Sequence, residues 1–118
     1  MTSLELTKKI VQILDNKKAD DIQVLKVDNL TIMADYFIIA STDNSTHVKS
    51  LVDEVEFQIK QDGVEPQHTE GYQYANWVIL DYADVVVHVF HQETRGYYNL
   101  DRLWSDGKSI DVKELLDE

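Results

Sequence analysis

Three groups of residues have types and spacings that could do chemistry: Asp81 with Asp84, His88 with His91, and Asn44-Ser45 ahead of an apolar helical pattern. Nucleotidyl transfer uses two metal ions held by carboxylates at i and i+2 on one strand face. Asp81 and Asp84 are three apart and flank Tyr82-Ala83, so turn chemistry explains them better. His88 and His91 fall on a β-rich run, where a spacing of three sends the rings to opposite faces and denies them a shared metal. His47 opens a helical pattern and His68 follows Pro66, each without a partner in sequence. A phosphate-binding loop needs clustered glycines, but Gly63, Gly71, Gly96 and Gly107 are scattered and no Gly-Lys-Ser/Thr occurs. Asn44 and Ser45 could hold an anion at a helix start, though both are also ordinary N-caps. Ser45 with a histidine lacks any oxyanion signature. The absence of cysteine excludes disulfides, thiolate catalysis and cysteine zinc sites. We therefore expect no catalytic set, no metal and no cofactor.

The alternative to chemistry is a surface. Tyr72, Tyr74, Trp77, Tyr97, Tyr98 and Trp104 concentrate large aromatics in the second half of the chain. Such residues serve a core or anchor an interface. The 11 basic and 22 acidic residues give a net charge of −11, which repels phosphate backbones and suits a basic protein partner. Non-specific nucleic-acid binding and attachment to an anionic membrane are accordingly not expected, and no direct sequence-specific nucleic-acid binding is expected either. The N-terminal MTSLELTKK has no signal-peptide pattern and no stretch approaches membrane-spanning length, so a cytoplasmic location is expected.

The elements that would position these residues follow from periodicity. The 118 residues, 43% hydrophobic and 28% charged, suit one globular domain. Leu6, Ile10, Ile13 and Leu14 predict a helix over 3–17, capped by Thr2 or Ser3. Ala19-Asp20-Asp21 reads as a loop and Ile22–Val27 as a half-buried strand. The apolar run 35–41 predicts a strand covered on both faces. Val48, Leu51, Val52, Val55 and Ile59 predict a helix over 44–61 that ends near Gly63. Pro66 puts 64–68 at a sheet edge or outside the sheet. Runs 76–81 and 84–90 predict a hairpin, and a helical pattern resumes from Arg95. This order predicts an α+β fold: a single mixed β-sheet with helices packed on it, in which strand 35–41 and a later parallel strand are joined by a crossover through helix 44–61. The domain is expected over 1–105, with 106–118 as an acidic peripheral tail whose Val112, Leu115 and Leu116 can dock weakly.

Longer motifs carry a resemblance. Ala34-Asp35-Tyr36-Phe37-Ile38-Ile39-Ala40-Ser41 with Asn44-Ser45-Thr46-His47-Val48 resembles the first signature of the Iojap-like ribosomal silencing factors. Glu70-Gly71-Tyr72, Trp77-Val78-Ile79-Leu80-Asp81 and Asp84-Val85-Val86-Val87-His88-Val89-Phe90 resemble the second, and Arg95-Gly96-Tyr97-Tyr98-Asn99-Leu100-Asp101-Arg102-Leu103-Trp104 the third. The resemblance implies nucleotidyltransferase-like topology without the catalytic residues. It implies a translation repressor that binds the large ribosomal subunit through ribosomal protein fourteen and blocks joining of the small subunit under starvation. It also implies partner-binding roles for Trp77 and Tyr98, with Leu80, Asp81, Tyr97 and Asp101 around them. Many family members carry Gly where Ala83 stands, and a positive-φ turn would cost Ala more. The alternatives are a nucleotidyltransferase-like enzyme and a dimeric adaptor without ribosome contact, and the sequence leaves a homodimer open.

Overall fold

The computed structural model describes residues 1–32, 34–95 and 108–116. Helix α1 (Ser3–Asn16) starts on a reciprocal cap, in which Glu5 N–H donates to Thr2 Oγ1 at 3.1 Å and Thr2 N–H to Glu5 Oε1 at 3.2 Å. Strands β1 (Asp20–Lys26) and β2 (Tyr36–Thr42) precede helix α2 (Ser45–Gln61). Asn44 Oδ1 caps α2 by accepting from His47 N–H at 2.7 Å. At its far end Gly63, at φ +82°, donates to Lys60 O while Val64 N–H reaches back to Ile59 O. This left-handed closure is the one that glycine makes without a steric cost. There follow β3 (His68–Glu70), β4 (Trp77–Asp81), β5 (Val85–His91), the single turn α3 (Gln92–Arg95), β6 (Lys108–Ile110) and α4 (Val112–Leu116).

The six strands form one sheet in the order β3-β4-β5-β2-β1-β6. Among the described residues only β2 and β5 run parallel, in register from Tyr36 opposite Val85 to Thr42 opposite His91; the other described pairs are antiparallel. The sheet is therefore mixed and the fold α+β, as expected. On one face Ile38, Ala40, Val78, Leu80, Val87 and Val89 meet the apolar stripes of α1 and α2 in the main core. On the other face Leu25, Val27, Ala34, Ile39 and Phe90 form a second buried cluster, against which Phe37, Trp77 and Val86 pack. The apolar run of β2 thus serves two layers.

The structure departs from the sequence reading in three places. β1 begins at Asp20, within the expected loop, because a bulge at Asp21 (φ +51°) separates the pair Asp20–Ser41 from the pair Gln23–Ile39. Residues 108–116 are not a peripheral tail. β6 pairs with the free edge of β1, Val24 opposite Ile110, and Leu115 is buried in the main core. Three residues are too few to show a strand period, so this pairing is decided by the open edge of β1 rather than by local pattern. Finally, α3 is a single turn, Gln92–Arg95, where no helix is expected; the helix expected from Arg95 onward falls, beyond Arg95 itself, outside the described residues. The expected partner residues Tyr97, Tyr98 and Asp101 lie outside the described residues.

Candidate functional site

β4 alternates strictly, so Trp77, Ile79 and Asp81 share one face and Val78 and Leu80 the other. Leu80 is wholly buried beneath the helices. The expectation that it contacts a partner is corrected accordingly, since no partner reaches it without opening the core. The sequence could not choose, because both faces of the strand are apolar.

Trp77 is half-buried on the face opposite the long helices. It lies opposite Phe90 on β5 and stacks on that ring with centroids 5.1 Å apart and planes 19° apart. Its indole Nε1–H donates to His88 Nδ1 at 3.1 Å. The His88 ring in turn lies 5.1 Å from the ring of Phe37 on β2. Trp77, His88 and Phe37 thus form a row across β4, β5 and β2. The row leads to a cleft of about 410 Å³ with Val27, Ala34, Phe37 and Val86 among its apolar walls and Asp81 and Gln67 as polar members.

Burial pushes His88 down to about 4, and the charge of Asp81 offsets this only in part. The ring is therefore neutral at neutral pH. Because Nδ1 accepts the indole proton, the ring's own proton sits on Nε2, a buried atom without a hydrogen-bond partner. Asp81 is the turn residue expected of it: Oδ1 accepts Ala83 N–H at 2.8 Å, and Ala83 takes φ +71°. The Gly71 backbone, at φ +80°, passes so close to Trp77 that a Cβ there would lie 2.1 Å from the Trp77 carbonyl oxygen. Gly71 and His88, the close neighbours of Trp77, were not singled out by sequence reasoning. Gly71 entered it among the scattered glycines and within a motif, and His88 as a metal candidate and within a motif.

His47, His91 and Tyr72 make contacts that join elements of the fold. The His47 ring spans Lys17 O at 2.8 Å and Thr42 Oγ1 at 2.5 Å, joining the end of α1 to the start of α2. His91 Nδ1 accepts Glu93 N–H at 3.3 Å, at the start of α3. Tyr72 OH donates to Asp53 on α2 at 3.1 Å, and Lys49 lies 5.3 Å from its ring centroid. Tyr74 is 76% exposed. Among the described residues no cluster of three or more His, Asp or Glu could hold a metal ion, and no helix is long and apolar enough to cross a membrane.

Comparison with known proteins gives a single picture. The whole chain, residues 1–118, matches the family described as ribosomal silencing factor during starvation. The ribosomal silencing factor RsfS of Halalkalibacterium halodurans is 34% identical over 116 residues, covering 98% of this chain and 99% of that protein. RsfS of Bacillus subtilis is 39% identical over 98 residues, 83% of each chain. A crystal structure of a Chromobacterium violaceum protein superposes with a TM-score of 0.85 at 33% identity, covering 94% of this chain and 92% of its own.

Proposed function

The chain belongs to the ribosomal silencing factor family and is a ribosome-associated regulator of translation, and from that premise we propose that it represses translation by occupying the subunit-joining face of the large ribosomal subunit. In this reading it docks on ribosomal protein fourteen in the cytoplasm and excludes the small subunit sterically, with no covalent step. The observation that carries the reading is the whole-length family match. The geometry supports it in two ways. Trp77 offers a partly exposed aromatic anchor held by neighbours on the sheet face opposite the long helices, and hot spots of protein interfaces favour such rings. Asp81, beside an apolar cleft on the same face, and the net charge of −11 suit a basic ribosomal protein. Trp77 and Asp81 form the described part of the proposed contact, with Tyr98, Tyr97 and Asp101 completing it from the segment outside the described residues.

The test is a sucrose gradient of subunits mixed under joining conditions. Added protein should co-sediment with large subunits and lower the yield of joined ribosomes. An unchanged ratio of joined to free subunits at saturating protein would reject the reading.

A further inference from the structure

We infer that His88 is a positioning residue for the partner anchor: its buried imidazole, through Nδ1, fixes the rotamer of Trp77 in the orientation that docks. The inference rests on the proposed docking role of Trp77.

Three observations carry it. The first is the hydrogen bond itself, 3.1 Å from indole Nε1–H to His88 Nδ1. An indole has one polar atom and two side-chain torsions, so a single directed bond together with the stack on Phe90 selects one orientation. The second is what His88 gives up to make that bond. Accepting at Nδ1 forces the proton onto Nε2, and Nε2 is buried and unpartnered. A buried donor left unmade is destabilising, so an apolar residue of similar size would suit the second cluster better if packing were the only role. The third is its setting. His88 is 8% exposed and is flanked by the rings of Phe37, Trp77 and Phe90, so the acceptor cannot swing away. Burial also keeps the ring neutral, which preserves Nδ1 as an acceptor. A side chain that binds its partner already ordered avoids the entropic cost of being fixed on docking.

The experiment compares the unmodified protein with His88→Leu and His88→Asn, Asn Oδ1 lying close to the place of Nδ1. In the unmodified protein the Trp77 indole N–H resonance, assigned by its loss in Trp77→Phe, should show slow solvent exchange and a hydrogen-bonded shift. His88→Leu should move that resonance and weaken binding to isolated large subunits roughly tenfold, the effect of losing one ordering hydrogen bond, while the melting temperature is unchanged or higher. His88→Asn should restore both the resonance and most of the affinity. Large-subunit binding of His88→Leu equal to that of the unmodified protein would overturn the inference while leaving the proposed function standing. Failure of the unmodified protein to bind large subunits would overturn both. Should His88→Leu not fold, a fast-exchanging indole N–H in the unmodified protein, or His88→Asn with native melting but no binding, would still overturn it.

Discussion

Trp77 and Leu80 are three residues apart on β4 and face opposite ways, so truncating each should read out differently. Trp77→Ala should cut large-subunit binding by thirty-fold or more, an anchor being worth roughly 2 kcal/mol, with a smaller loss of stability. Leu80→Ala should cost about 2–5 kcal/mol of folding free energy through a cavity in the main core. Affinity measurements paired with chemical denaturation separate the two. Gly71→Ala should be severe at a site that looks innocuous, because the added methyl meets backbone at 2.1 Å and the φ of +80° is itself unfavourable. His88 makes stability depend on pH in a definite direction. Its folded value of about 4 lies below the ordinary 6.5, so between these the unfolded chain binds the extra proton. Stability is then complete above pH 6.5 and falls as the pH drops towards 4, by up to roughly 3 kcal/mol from this group. Denaturation midpoints across that window should fall more steeply for the unmodified protein than for His88→Asn.

At the scale of elements, the parts with strong local signals were legible. Five apolar residues at helical spacing announced α2, two-sided burial announced β2, and two β-rich runs around Tyr82-Ala83 announced the β4-β5 hairpin. Three things depended on tertiary context: which face of β4 the helices would cover, the bulge that starts β1, and the addition of β6 to the β1 edge. Of the candidate site, the sequence named Trp77 and Asp81 but missed the ring that holds Trp77. A hydrogen bond between neighbouring strands leaves no spacing signature along either one. The hairpin supplies a prediction of its own. Ala83 adopts φ +71°, so Ala83→Gly should raise stability by about 0.5–1 kcal/mol, read as a higher melting temperature. A net loss would show that the Ala methyl contributes more than the strain costs.

For the molecule as a whole, the last described residues complete the structure made by the first. β6 pairs with β1, and Leu115 joins the core formed by α1 and α2. Deleting residues 108–118 should therefore destabilise the whole domain, by about 3 kcal/mol or more, rather than trim an appendage. A truncated chain with an unchanged melting temperature would refute this. The charge of −11 gives a second prediction at this scale: association with a basic partner should slow roughly tenfold as salt screens the attraction, while the dissociation rate changes little. The parallel pairing of β2 with β5, some fifty residues apart in sequence, adds a temporal consequence. Half the sheet waits for residues 85–91, and its last strand waits for 108–110. A nascent copy cannot complete its fold while those residues are still inside the exit tunnel.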